Sequence, residues 1–183
     1  MDYFKVAAYG LVICSQLTYA GFTLAETPTA SDRSRGTIGI MDKDKYQCFI
    51  PIPEAGQTVL YDFTASNSPC KTDTARDVEF NEIPSATTIL LTDNKLCNTS
   101  DLLESFWFRF KTIKKSTTTD YIELEYFKSY VPGAVVRPGL LLTDLWLKPG
   151  NAIVRDKLSC VQITTSAAPP SSVTETSAVP AQP

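Results

Sequence analysis

Residues 106–111 read Phe-Trp-Phe-Arg-Phe-Lys, and this stretch decides the fold class. Phenylalanine takes every second position, while Trp107, Arg109 and Lys111 take the positions between. Because successive side chains of a β-strand point to opposite faces of its sheet, the alternation predicts one buried aromatic face and one outer face. The three residues of the outer face are candidates for contact with a partner, although packing is the ordinary role of a tryptophan in a strand.

A second alternating stretch covers residues 122–126, Ile-Glu-Leu-Glu-Tyr, and the polar segment 113–119 separates it from the first. Two alternating stretches joined by a polar turn are typical of a β-hairpin. The hairpin would set Arg109 and Lys111 across from two glutamates. We interpret these charges as facing pairs on a solvated sheet rather than as a catalytic carboxylate pair.

Further strands are indicated by short β-branched or aromatic runs that end at turn-forming residues. They are Gly36–Met41, Cys48–Ile52, Thr58–Phe63, Asp77–Phe80, Thr87–Thr92, Leu140–Leu147 and Leu158–Thr164. No segment keeps the period of a helix over three turns, and only Asp101–Phe106 is expected to form a short helical turn. The sequence therefore predicts an all-β protein of about nine or ten strands, folded as a two-sheet antiparallel sandwich.

The composition excludes several classes of function. The chain has 183 residues, a formal net charge of −3 and no histidine. Without histidine there is no Ser–His–Asp or Cys–His catalysis, no histidine-bound zinc and no ordinary switch near neutral pH. A mildly acidic chain without a basic block does not have the charge of a nucleic-acid-binding protein. The glycine motifs that bind phosphates and the G-x-S-x-G of hydrolases are missing as well.

The two ends of the chain differ from the middle. Residues 1–20 contain one lysine, an apolar run and a small-residue exit, which is typical of a signal peptide; an alternative cleavage site follows residue 25. The apolar run is shorter than the about 20 residues that span a bilayer, so no membrane span is expected in the mature chain. Residues 21–33 are expected to be a flexible segment and 34–165 the β-sandwich domain. Residues 166–183 are expected to be a disordered tail rich in Pro, Ser, Thr and Ala.

The cysteine count agrees with export. Removal of the leader removes Cys14 and leaves an even number of cysteines, which are Cys48, Cys70, Cys97 and Cys160. Four cysteines in an exported chain imply two disulfides in one of three connectivities, with free buried thiols as the alternative. No two of these cysteines have the close spacing of a zinc knuckle.

Two pairs of segments suggest an internal repeat. Residues 36–42 are echoed by 87–93, and residues 72–80 are echoed by 155–163. Each half would be one supersecondary unit that buries its apolar face against the other, the second half being lengthened by a hairpin insertion. Chance similarity between short strand motifs is the alternative. A repeat would favour disulfides within each half, which are Cys48–Cys70 and Cys97–Cys160.

The end of each half resembles a known family. Residues 156–163 have the form Asp-x-x-Ser-small-Val-x-Ile and resemble the βγ-crystallin Greek-key repeat; residues 73–80 are a poorer match, with Arg76 and Asp77 where the family prefers Ser. The resemblance covers residues 36–164. It implies a two-sheet Greek-key sandwich of two pseudo-repeats. Microbial members of the family often bind calcium, and a few act as inhibitors or toxins.

The resemblance carries over few calcium ligands. Asp73, Asp156 and Ser159 match positions of the family's calcium loop, whereas Arg155 and Thr72 stand in its first acidic place. Calcium takes about six to eight oxygen ligands, and a guanidinium beside the site would repel the ion. We therefore expect a degenerate site without metal and no cofactor.

One further motif is a glycosylation sequon, Asn98-Thr99-Ser100, which has meaning only in a eukaryotic secretory route. Together these features predict a secreted or periplasmic, disulfide-stabilised sandwich without enzymatic activity, acting as a binding or structural module for a protein or glycan. An alternative is an inhibitor or toxin-like effector directed at a foreign protein, with the loops 113–119 and 128–139 as its contact surface. A third hypothesis is a glycosidase that uses carboxylates alone.

Overall fold

The computed structural model describes residues 36–101 and 103–167. The expected signal peptide, the segment 21–33 and all but two residues of the expected tail lie outside this part of the chain. Within it, no helix has the length and apolarity needed to cross a membrane.

The regular secondary structure of the described part is almost entirely β-strand. Its twelve strands are β1 (Thr37–Asp42), β2 (Gln47–Pro51), β3 (Thr58–Asp62), β4 (Ala75–Asn81), β5 (Ile83–Pro84), β6 (Thr88–Thr92), β7 (Phe106–Thr112), β8 (Ser116–Thr117), β9 (Ile122–Glu123), β10 (Val135–Arg137), β11 (Leu140–Leu147) and β12 (Cys160–Thr164). One 3-10 helix, η1 (Leu124–Ser129), follows β9. The predicted runs coincide with strands to within two or three residues at their ends.

The strands form two antiparallel sheets that pack against each other, which confirms the all-β sandwich. One sheet has the order β2-β1-β4-β9, and the other has the order β10-β11-β7-β6-β12-β3. The short strands β5 and β8 pair separately. β3 thus lies beside β12 in the second sheet, and β9 lies beside β4 in the first.

The aromatic face of β7 forms the centre of the core, as the alternation predicts. Phe106, Phe108 and Phe110 are fully buried. The ring of Phe127 lies 5.5 Å from that of Phe108 and 4.7 Å from that of Phe110, measured between centroids, and Phe80 lies 5.9 Å from Phe110. Rings at these separations and tilted against each other combine apolar burial with favourable quadrupole contacts.

The predicted hairpin between residues 106–111 and 122–126 is wrong. β7 pairs with β6 and β11, whereas only Ile122–Glu123 is extended, and it pairs with β4 in the other sheet. The chain then turns into η1, in which Leu124 and Phe127 are both buried. Residues three apart lie on one side of a 3-10 helix, so this turn places two apolar side chains in the core at once. An extended chain would have faced the phenylalanine outward.

Four loops meet at the end of the sandwich where β1, β3, β6 and β11 finish, and we call this the loop end. The register places Asp62, Thr92 and Cys160 in one row across the second sheet at this end. The described loop segments there are 43–46, 63–74, 93–101, 103–105 and 148–159.

Candidate functional site

Both disulfides lie at the loop end. Cys48–Cys70 ties the beginning of β2 to the loop that follows β3, and its Cα atoms are 5.4 Å apart. Cys97–Cys160 ties the loop that follows β6 to the beginning of β12, with the same Cα separation of 5.4 Å. They are the pairs that the internal echoes favour. Because each bond closes a loop, it removes conformations that the loop would otherwise sample.

Two loops from opposite halves of the chain are also joined by two backbone hydrogen bonds. The Asp73 amide donates to the Leu158 carbonyl at 3.2 Å, and the Asp156 amide donates to the Ala75 carbonyl at 3.0 Å. Asp73 and Asp156 both adopt positive φ, 55° and 54°. Aspartate tolerates this left-handed conformation better than most residues, which accounts for its use at both turns.

Asp156 is held by an arginine. The Arg76 Nε donates to its Oδ1 at 2.9 Å and Nη2 donates to its Oδ2 at 2.7 Å, so both carboxylate oxygens are occupied. The guanidinium of Arg76 holds the pKa of Asp156 below its ordinary value. A calcium ion needs the same oxygens and would meet a fixed positive charge beside them. The residues around Asp156 therefore do not fit the calcium site that the family resemblance implies.

Asp73 accepts its side-chain hydrogen bond from a neutral hydroxyl rather than from a charged group. The Ser159 hydroxyl donates to its Oδ1 at 3.3 Å, and the Thr72 hydroxyl donates to the Ser159 oxygen at 3.2 Å. The structure thus brings together all three residues carried over from the family, Asp73, Asp156 and Ser159, although each aspartate is satisfied by protein groups. Among the described residues, no group of three or more His, Cys, Asp or Glu side chains is arranged to hold a metal ion.

An open depression with a volume of about 520 Å³ lies beside Asp73 at the loop end. Four carboxylates line it together with a single lysine, Lys95, and these carboxylates belong to Asp73, Asp93, Asp101 and Glu104. We call it the acidic depression. It combines the loop that follows β6 with residues of the loops before β4 and β12, so it exists only in the folded chain.

The side chain of Asn94 holds several residues of the acidic depression in place through hydrogen bonds. This residue is 7% exposed, and its Nδ2 donates to Glu104 Oε1 at 3.2 Å and to Asp101 Oδ2 at 3.4 Å. Its Oδ1 accepts the backbone amides of Leu96 and Asn98, at 2.9 and 3.1 Å. One buried amide group therefore fixes both the turn and two of the carboxylates.

Two carboxylates of the acidic depression, Asp93 and Glu104, have a pKa above the ordinary value. Burial raises the pKa of Asp93, although the Ser105 amide donates to its Oδ2 at 2.7 Å and opposes the shift. Burial raises the pKa of Glu104, and the nearby charge of Asp93 adds to the effect. Each group therefore holds its proton to a higher pH than a solvated carboxylate does.

Sequence reasoning missed the acidic depression. Asp93 belongs to one of the echoed segments, and Asp101 and Glu104 fall within the expected helical turn 101–106, but neither pattern marks these residues or Asn94 as parts of a site. The signal present in the sequence was the density of Asp, Asn and Glu between β6 and β7, a stretch that a disulfide cysteine interrupts. Which of these side chains converge depends on the Asn94 hydrogen bonds, and no spacing rule predicts those.

The outer-face residues predicted for partner contact lie on β7, in the second sheet. Trp107 is half-buried and packs against a small apolar cluster of Leu90 and the Cys97–Cys160 disulfide. The guanidinium of Arg109 lies over the Trp107 ring, 5.1 Å from its centroid, and its Nη1 is 3.4 Å from a carboxylate oxygen of Asp144 on β11. Of these three residues only Lys111 is exposed, and a residue that contacts a partner has to be accessible.

The two predicted contact loops lie apart from the acidic depression. Residues 113–119 lie at the opposite end of the sandwich, since they follow β7, which begins at the loop end and runs away from it. Residues 128–139 run from the end of η1 through β10 to the start of β11, alongside the second sheet. The glutamates that were expected to face β7 have other partners: Glu123 pairs with Arg155, and Glu125 pairs with Lys128 at 2.7 Å.

No protein-family model, curated protein or solved structure matches the chain.

Proposed function

We propose that the protein is an exported, non-catalytic binding module that recognises its partner through the loop end. The observation that carries the proposal is the placement of both disulfides at this one end. The core contains a continuous set of buried aromatic and aliphatic residues from both sheets, so the sheets hold together through apolar burial. The two disulfides instead restrict the conformation of the loops. A loop that is already fixed loses less conformational entropy when it binds a partner. Two disulfides also agree with an extracellular or periplasmic compartment.

The chemistry of the acidic depression favours a partner that brings a positive charge. Carboxylates outnumber lysines there by four to one among the lining residues. Arg or Lys side chains make charge-assisted hydrogen bonds with carboxylates, and these are about twice as strong as neutral ones. A basic segment of a protein would therefore be attracted, whereas an anionic glycan would be repelled.

The test is binding of two fluorescent peptides of equal length, one rich in lysine and arginine and one rich in glutamate, to the full chain. Fluorescence anisotropy should show binding of the basic peptide only, and added salt should weaken it because the contacts are ionic. Neutralising the depression with Asp101→Asn together with Glu104→Gln should weaken binding by about tenfold, which corresponds to ~1.4 kcal/mol.

The control is Asp120→Asn, which removes one negative charge from an exposed position at the opposite end of the sandwich and is compared with Asp101→Asn and Glu104→Gln made singly. If the control weakens binding as much as a single change in the depression, the attraction comes from net charge and the proposed site is wrong. If the glutamate-rich peptide binds equally well, the proposed partner class is wrong.

A protein inhibitor or a toxin-like effector would be a special case of the same binding, with a foreign protein as the partner. Growth inhibition of microorganisms by the purified protein would favour the effector. Loss of that inhibition in the Asp101→Asn, Glu104→Gln protein would place the contact in the acidic depression, and retention of it would direct attention to the loops 113–119 and 128–139.

We also propose that the two halves form an internal repeat of the βγ-crystallin type. The strand order supports the repeat, because the second, first and fourth strands of one half, β2-β1-β4, match β7-β6-β12 of the other. In each sheet the next strand is the third strand of the opposite half, β9 or β3. β10 and β11 extend the second sheet as an insertion. The backbone hydrogen bonds of Asp73 and Asp156 follow the same correspondence between the halves. The amide of each aspartate donates to the carbonyl of the residue two positions after the other aspartate.

Calorimetric titration with calcium tests what the family resemblance implies for this chain. Since Arg76 occupies both oxygens of Asp156, we expect no heat of binding and no gain in stability. Measurable heat together with a rise in melting temperature would show that the loop end holds calcium in spite of the arginine.

One observation favours a second candidate, a glycosidase that works with carboxylates alone. Asp93 and Glu104 share a depression and both have a raised pKa, as the general acid of such an enzyme requires. Binding remains the preferred proposal because Asp93 accepts the Ser105 amide and Glu104 accepts the Asn94 amide, so both carboxylates already act as structural acceptors. Release of nitrophenol from aryl glycosides at acidic pH, abolished by Glu104→Gln, would reverse that preference.

A further inference from the structure

We propose that Asn98 is an N-glycosylation site and that the first sugar of its glycan packs on the exposed side chain of Leu96. The ligand is thus a covalently attached oligosaccharide. The proposal does not depend on the function of the acidic depression, at whose rim Asn98 and Leu96 both lie.

The first step is the accessibility of the acceptor amide. Asn98 is exposed, and its Oδ1 accepts the Ser100 backbone amide at 3.0 Å. Its Nδ2 makes no hydrogen bond within the part of the chain that the structure describes. A glycan on this nitrogen would therefore break no contact, and the fold leaves room for it.

The second step is the position of Leu96, which is 64% exposed. Asn94 Oδ1 accepts the amides of both Leu96 and Asn98, and the Asn94 carbonyl accepts the amide of Cys97 at 3.0 Å. The Cys97–Cys160 disulfide fixes the residue between them. Leu96 and Asn98 are therefore held on one tight turn, two residues apart. An exposed leucine beside the attachment point offers the apolar face of a sugar a surface to cover.

The chemistry is group transfer in the eukaryotic secretory pathway. Asn98 Nδ2 attacks the anomeric carbon of a lipid diphosphate-linked oligosaccharide, a new C–N bond forms, and the C–O bond to the diphosphate breaks. The amide nitrogen loses one proton, and the lipid diphosphate leaves with the bonding electron pair. The sequence requirement is a hydroxyl two residues after the asparagine, which Ser100 supplies.

The experiment expresses the full chain behind a yeast secretion leader and measures the mass of the secreted protein before and after an amidase that removes N-glycans. We expect one glycan on the wild type and none on Ser100→Ala. The positive control is Lys115→Asn in the Ser100→Ala background, which creates the sequon Asn-Ser-Thr at 115–117. An unmodified wild type beside a modified control would overturn the proposed site.

Thermal melting tests the role of Leu96. Trimming the glycan to its first sugar should leave the melting temperature unchanged, while the unglycosylated Ser100→Ala protein, which keeps Asn98 uncharged, should melt about 2 °C lower, as for a small loss of buried surface in a domain of this size. In the Leu96→Ser background, adding Ser100→Ala should have no effect. If both proteins lose the same amount, the sugar does not pack on the leucine, and that part of the proposal is wrong.

Discussion

Arg76 on β4 and Asp156 in the loop before β12 are joined by two parallel hydrogen bonds, 2.9 and 2.7 Å long, across 80 residues of sequence. The pair fastens the end of one half of the chain to the end of the other. It also fills the position in which the family resemblance expects oxygen ligands. A positive side chain thus stands beside a carboxylate that the resemblance carries over as a calcium ligand.

The Arg76–Asp156 pair predicts a stability loss in acid. Because the pKa of Asp156 is lowered in the folded state, its contribution is present above the unfolded value of about 3.9 and is lost as the pH falls through the folded value. Arg76→Gln should therefore lower the melting temperature at neutral pH and flatten its dependence on pH on the acid side. Melting curves of the wild type and the variant across the acid range check this, and curves that stay parallel throughout would contradict it.

The acidic depression predicts the opposite pH dependence. Because the pKa values of Asp93 and Glu104 are raised by folding, the folded protein binds protons more tightly, and stability rises as the pH falls from neutral towards their folded pKa values. Asp93→Asn keeps an acceptor for the Ser105 amide and removes the charge. It should raise stability at neutral pH and lose that advantage in acid. Urea unfolding of Asp93→Asn and of Asp120→Asn at neutral and at acidic pH tests this prediction. Equal gains in stability in both variants would attribute the effect to net charge.

The two disulfides predict unequal losses of stability. The Cys97–Cys160 bond spans 63 residues and the Cys48–Cys70 bond spans 22. In the chain-entropy account, the longer loop is worth about 4 kcal/mol and the shorter about 3 kcal/mol. Replacing each pair by alanine and measuring urea unfolding should therefore rank the longer bond first. A larger loss from Cys48→Ala with Cys70→Ala would show that the loop end depends on that bond for more than loop closure.

The sequence predicted the strands of this fold better than their partners. The alternation in residues 106–111 depends only on which side chains are buried, and the core bears it out. Residues 122–126 have an equally regular alternation, yet most of them form a 3-10 helix. There the deciding fact is that Leu124 and Phe127 both fill the core, and this becomes visible only when β9 is placed beside β4.

The site was less accessible to sequence reasoning than the fold. Asp73, Asp156 and Ser159 could be named from a short motif, and the structure places them together. The acidic depression could not be named, because its carboxylates converge through the side chain of Asn94, which is a single polar residue in a polar loop. Contacts between side chains of an irregular loop have no regular spacing along the chain, so no sequence pattern predicts them.

The last prediction concerns Trp107 on the outer face of β7. It distinguishes a tryptophan that packs within the fold from one that contacts a partner. The indole covers Leu90 and the Cys97–Cys160 disulfide, and Arg109 lies over its ring, so removing it exposes apolar surface. Trp107→Ala should destabilise the protein by about 2–4 kcal/mol, and Trp107→Phe by less because a ring remains. Lys111→Ala, on the same face but exposed, should stay within about 0.5 kcal/mol of the wild type. Urea unfolding of the three variants decides the matter: a Trp107→Ala protein as stable as Lys111→Ala would mean that the indole is free to meet a partner.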